Sequence, residues 1–246
     1  MSIASRIKQK NSREFLNSTT TNALEDGTKR SSELVCDEKY LRSSALKLAQ
    51  QGQYSKAIAL FSQLIDYDSN NAIDFNNRGL IYFQIGEKQK AFCDYNTALK
   101  LNPRLAGAYN NRANYYVVCG NLAAAIADYD RAINLNPSYV RAWINRGITL
   151  RDLGQYEEAI DNFEMALLFG QLEAYIWAEY GRTYHLWGDW NCAIAAYNRA
   201  FSLLFFLDER KNVFGYSLRS QLESWLHDMS FSYTGVQEKA TCIIFE

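Results

Sequence analysis

Asn77, Asn111 and Asn145 stand 34 residues apart; Asn76 and Asn110 precede two of them, and Asn114 follows Asn111 by three. An asparagine side chain carries a carbonyl acceptor and an amide donor. Repeated at one spacing, such groups can bond both the C=O and the N–H of an extended peptide backbone, in a way that tolerates its sequence. They can equally bond one another and fix the spacing of the elements that carry them. Arg42, Arg141, Arg151 and Arg182 lie in the same stretch of chain, with Tyr139 and Tyr175. A guanidinium suits two-pronged capture of a carboxylate. That chemistry points to an acidic segment or a C-terminal carboxylate as ligand, with a solvated basic face as the alternative.

Other chemistry is not indicated. The two histidines, His185 and His227, have no cysteine or carboxylate at metal-ligand spacing. The five cysteines include no CxxC pair, which argues against a disulfide framework or a zinc site. Reduced thiols and a cytoplasmic location are expected. No glycine-rich phosphate loop occurs. The carboxylates form no converging pair, so no catalytic residue, metal or cofactor is expected. The net charge of −1 excludes nucleic-acid binding by bulk electrostatics. No apolar run approaches the roughly 20 residues of a membrane span, and the N-terminus lacks the apolar stretch of a secretory signal.

The elements that must position these groups follow from the repeat. Gly52, Gly86, Gly120, Gly154 and Gly188 share the 34-residue step. So do Ala57, Ala91, Ala125, Ala159 and Ala193, and the aromatics Phe61, Tyr95, Tyr129, Phe163 and Tyr197. Small residues recur at Ala45, Gly79, Ala113, Gly147 and Gly181. The repeats run 38–71, 72–105, 106–139, 140–173 and 174–207, with positions numbered 1 to 34 in each. The glycine at position 15 separates two apolar-periodic segments, where a helix ends in a left-handed residue. The small residues at positions 8 and 20 let two helices approach closely. Pro103 and Pro137, the only prolines, fall at position 32 and stop the second helix.

The stretch YNNRANYYVVCGNLAAAIADYDRAINLNP, residues 109–137, closely resembles the tetratricopeptide repeat (TPR), with an NRG or NRA pattern at positions 6 to 8. The resemblance covers 38–207 and implies an all-α fold: five helix–turn–helix repeats in a right-handed superhelix with a concave groove. It implies that positions 2, 5, 6, 9, 12 and 13 of each first helix line that groove. The candidate peptide-binding residues are then Asn76, Asn77, Asn110, Asn111, Asn114, Arg141, Asn145, Tyr175 and Arg182. The two-carboxylate clamp of co-chaperones in this family is incomplete. At its positions across repeats 2 to 4 stand Asn76, Leu80, Asn111, Arg141 and Asn145, of which only Asn111 and the charge of Arg141 match. Position 7 carries Arg78, Arg112 and Arg146 where most TPR units have Leu; Arg78 with Asp94 and Arg112 with Asp128 are expected to pair between the two helices of a repeat.

Outside the repeats, residues 1–37 are expected to form a flexible arm and 230–246 a tail. Residues 208–229 carry an apolar stripe (Val213, Tyr216, Leu218, Leu222, Trp225, Leu226, Met229) expected to form a helix capping the last repeat, with a dimerisation helix as the alternative. These features describe a non-enzymatic scaffold or adaptor that binds another protein through an extended or acidic segment. The alternatives are an assembly factor for a membrane complex, as the NRG style of some photosynthetic TPR proteins suggests, and a TPR homo-oligomer paired through the C-terminal region.

Overall fold

The computed structural model describes residues 38–207 and 217–227. The expected N-terminal arm, the C-terminal tail, and residues 208–216 and 228–229 of the expected cap lie outside them. The described residues hold eleven helices and no strand. They are α1 (38–50), α2 (Tyr54–Tyr67), α3 (Ala72–Gln84), α4 (Lys88–Leu101), α5 (Ala106–Val118), α6 (Leu122–Leu135), α7 (Val140–Asp152), α8 (Tyr156–Leu167), α9 (Glu173–Trp187), α10 (Trp190–Leu207) and α11 (217–227). The first ten pair as five helix–turn–helix repeats. The described residues divide into two compact bodies, one ending at Leu101 and the other beginning at Asn102, with the division after α4.

One turn closes every repeat. The five position-15 glycines have φ between 74° and 92°, the left-handed region that costs a side chain dearly. Beyond the adjoining residues no atom lies within 4 Å of a Cβ built on any of them, so backbone conformation rather than space demands glycine there. The residue after each glycine donates its N–H back five residues, as Asp189 does to Tyr184 O at 3.0 Å, which satisfies a carbonyl at the helix end. At position 8 the demand is for space: a Cβ on Gly181 would lie 2.6 Å from the Tyr197 ring. The position-20 alanines are all fully buried, and the aromatics at position 24 are buried against them.

Between repeats, Asn102 and Asn136 accept from the N–H groups of Arg104 and Ser138, fixing the Asx turns that contain Pro103 and Pro137. The connection from α8 to α9 lacks that proline. It runs through Gly170 at φ 61° and Leu172 at φ 56°, the one described non-glycine residue in the left-handed region.

In the first body, Ala45 of α1, Ala57, Phe61 and Leu64 of α2, and Ile81 of α3 share one core. In the second, α5 contacts α7 and α7 contacts α9, so the first helices of successive repeats form one layer. Helix α11 lays Leu218 and Leu222 into a core with Ala178, Ala193, Tyr197 and Leu204. Trp225 and Leu226 of the same helix are partly buried against that core.

Candidate functional site

Position 7 ties the helices together. Arg78 Nε and Nη2 donate to the two oxygens of Asp94, both at 2.8 Å, and Arg78 Nη1 donates to Ser62 Oγ of the preceding repeat at 3.0 Å. Arg112 grips Asp128 likewise at 2.7 and 2.8 Å. Both guanidiniums are raised in pKa, first by the hydrogen bond to the aspartate. Each also packs between two aromatic rings of its own helix, Phe75 and Tyr82 or Tyr109 and Tyr116. In the fourth repeat Asn162 replaces the aspartate; Arg146 donates to it at 3.2 Å and takes Asp130 of the preceding repeat at 2.7 Å. The expected ion pairs within repeats 2 and 3 are present.

In the first body, Asn76 Nδ2 lies 3.5 Å from Asn77 Oδ1, so the two candidates sit side by side on α3. Arg42 Nε donates to both oxygens of the fully buried Asp74, at 2.9 and 3.0 Å, and its Nη2 to Glu38 at 3.0 Å. That guanidinium ties α1 to α3.

In the second body, three candidate asparagines meet. Asn145 of α7 donates its amide to Asn110 Oδ1 at 3.1 Å and Asn114 Oδ1 at 3.2 Å, both on α5. Asn114 Oδ1 also accepts from Tyr129 Oη at 2.6 Å. Asn110 is buried and donates to Asn111 Oδ1 at 3.3 Å. The amides of Asn110, Asn114 and Asn145 therefore hold α5 against α7. Asn111, Asn114 and Asn145 are half-buried, and Arg141 is exposed.

Position 6 of the fifth repeat carries Glu179 instead of asparagine. Its carboxylate accepts from Arg151 Nη1 at 2.6 Å, and both side chains are largely buried. Tyr175 stands beside this pair; burial, with Glu179 adding to it, pushes its hydroxyl well above the ordinary phenol range. Arg182 takes another environment. Its Nη1 lies 3.2 Å from His185 Nδ1 and its guanidinium 5.4 Å over the ring of Trp225 on α11. An arginine only donates, so this contact makes Nδ1 the acceptor. Tyr197 Oη lies 3.4 Å from the same nitrogen. Glu179 and Trp225 were not among the sequence candidates. The break in the asparagine column at Glu179 was the readable sign of the first; Trp225 was visible only as part of an apolar stripe.

Among the described residues no group of three histidines, cysteines or carboxylates is placed to hold a metal ion. No described helix is long and apolar enough to cross a membrane.

Comparison with known proteins agrees with this architecture. A TPR-repeat family model matches residues 45–86, and two tetratricopeptide-repeat models match 75–105 and 110–174. No curated protein matches. Among solved structures, a thermophilic TPR protein of Thermus thermophilus is similar at 21% identity and a TM-score of 0.65, over 77% of this chain and 98% of that one. PilW, a type IV pilus biogenesis factor, is similar at 21% identity and a TM-score of 0.66, over 80% and 89% of the two chains. MamA is similar at 20% identity and a TM-score of 0.56, over 72% and 96%. Identities this low carry the fold alone. Left-handed glycine turns, fully buried alanines and aromatics at one register, and family models that together run from residue 45 to 174 agree: the chain belongs to the tetratricopeptide repeat family.

Proposed function

We propose that the chain is a cytoplasmic, non-enzymatic scaffold that holds an extended, acidic segment of another protein against its first helices. The contacting groups on this reading are Asn111, Asn114, Arg141, Asn145, Tyr175 and Arg182 in the second body; Asn76 and Asn77 place the same amide chemistry on α3 of the first. Asn110, being buried, acts through its neighbours. One observation carries the reading: Asn145 is held by two partners on α5 while remaining half-buried. An amide already fixed in direction loses little rotamer freedom when it meets a peptide group, so less of the binding energy is lost. Val118 and Leu186, both at position 13, are 48% and 46% exposed and would add apolar contact beside these amides. The three cysteines among the described residues, Cys93, Cys119 and Cys192, are free and exposed, which suits a reducing compartment.

The test is site-specific photo-crosslinking in the native cell. A photoreactive phenylalanine replaces Val118 or Leu186 on the first helices, or Arg131 on α6. The reading expects one shared protein from the first two positions and none of it from the third. Equal capture from all three positions overturns it. Titration of the identified protein against Arg141→Ala and Asn111→Ala variants then assigns the contacts.

A further inference from the structure

Of the half-buried arginines among the described residues, six have a carboxylate within 4 Å and one does not. Arg42, Arg78, Arg112, Arg146 and Arg151 each hold an aspartate or glutamate oxygen within 3.0 Å. Arg219, on α11, has Glu223 at 3.9 Å. Arg182 has no carboxylate among the described residues. Its neighbours are an imidazole nitrogen, a phenol and an indole face. Withdrawing a guanidinium from water without a counter-charge is costly, and the other arginines are spared that cost by their partners.

We propose that Arg182 is a carboxylate-binding site, completed by α11. It rests on the scaffold reading and names the chemistry recognised at the C-terminal end of the face. The stack on Trp225 uses the face of the guanidinium, and His185 Nδ1 takes one N–H, so the planar fork keeps further donors for an anion. The charge balance selects the class of anion. Arg151 and Glu179, the other charges acting on Tyr197 beside Arg182, neutralise each other at 2.6 Å. Among the described residues one positive charge is then left without a paired carboxylate, which matches a carboxylate monoanion better than a phosphate dianion. Trp190, 5.3 Å from His185 between ring centres, and Trp225 supply apolar walls for the residue that carries the acid. The ligand is thus a peptide with an acidic residue, or a C-terminal carboxylate, beside an apolar side chain.

The experiment titrates the full chain with three probes, followed by the Arg182 Nε–H and Trp225 indole signals in 15N–1H NMR spectra. N-acetyl-Leu-Phe-Glu-amide carries only a side-chain carboxylate. N-acetyl-Leu-Phe-Gln carries only a terminal one, and N-acetyl-Leu-Phe-Gln-amide carries neither. Saturable shifts are expected with at least one charged probe, at least about tenfold tighter than with the neutral one, since a charge-assisted hydrogen bond is roughly twice as strong as a neutral one; which charged probe binds tighter identifies the source. Arg182→Gln should remove that advantage, with circular dichroism as the folding control. Arg182→Lys, which keeps the charge without the fork, should retain part of it and serves if the glutamine variant does not fold. Equal binding of all three probes, or no saturable shift with any, overturns the proposal. The crosslinks from Val118 and Leu186 do not depend on Arg182, so the two readings can fail separately.

Discussion

Arg78 and Asp94 form a fork-to-fork pair, two hydrogen bonds of 2.8 Å between side chains 16 residues apart. The side chains are 18% and 8% exposed, so the pair lies between a surface salt bridge and a buried one. A surface pair contributes under about 1 kcal/mol, whereas stranding one partner of a buried pair costs about 3–5 kcal/mol. Asp94→Ala leaves Arg78 with Ser62, two aromatic rings and only the more distant charge of Asp66, so a loss of about 2–4 kcal/mol is expected in urea unfolding. Replacing both residues by leucine should recover much of that loss. A double variant as unstable as Asp94→Ala would show that the pair does more than compensate its own burial.

The hydroxyl of Tyr95 is buried and has no hydrogen-bond partner among the described residues. The equivalent hydroxyl of Tyr129 donates to Asn114, and that of Tyr197 lies near His185. The difference traces to position 9, where Leu80 stands in place of Asn114. An unsatisfied buried hydroxyl costs about 1–3 kcal/mol. Tyr95→Phe should therefore raise the melting temperature, and Tyr129→Phe should lower it by freeing Asn114 of a 2.6 Å bond. Thermal unfolding followed by circular dichroism decides; shifts of the same sign would mean that hydroxyl satisfaction is not the controlling quantity.

Asn145→Ala removes the donor shared by Asn110 and Asn114. Asn110 is 3% exposed and cannot recover a water partner without opening the α5–α7 contact. A loss of about 1–3 kcal/mol is expected. Asn111→Ala should cost less, because Asn111 is half-buried and water can reach its surroundings. Urea midpoints of the two variants test this ordering.

These comparisons show what the sequence reveals and what it hides. The turns, the alanine column and the Arg78–Asp94 and Arg112–Asp128 pairs depend on distances within one repeat, which the 34-residue period fixes. The bridge from Asn145 to Asn110 and Asn114, the Arg151–Glu179 pair and the stack of Arg182 on Trp225 join different repeats, or a repeat and the cap. They depend on the rotation between neighbouring helices, which spacing does not encode. The same residue type can thus look like a ligand contact and serve as a brace. The turn at 168–172 was legible only as a missing proline at Gln171; the strained Leu172 that replaces it needed coordinates.

The last prediction concerns alkaline pH. Tyr95, Tyr129, Tyr175, Tyr180 and Tyr197 all have hydroxyls pushed well above the ordinary phenol value of 10.0, in every case first by burial. A phenol is neutral when protonated, so a raised pKa means that the folded state holds the proton more tightly than the unfolded chain does. Below the unfolded value both states are protonated and these groups leave stability independent of pH. Above about pH 10 the unfolded chain releases protons that the folded state keeps, and stability falls, by up to about 1.4 kcal/mol per pH unit for each such tyrosine. With five of them acting together, a cooperative loss of helix is expected soon above pH 10, accompanied by a jump in phenolate absorbance as the buried rings ionise. Tyr95→Phe and Tyr197→Phe should each move the midpoint to higher pH, because each removes one group that ionises only on unfolding. Phenolate absorbance that rises gradually while the helix signal stays constant would show instead that these hydroxyls titrate within the folded state.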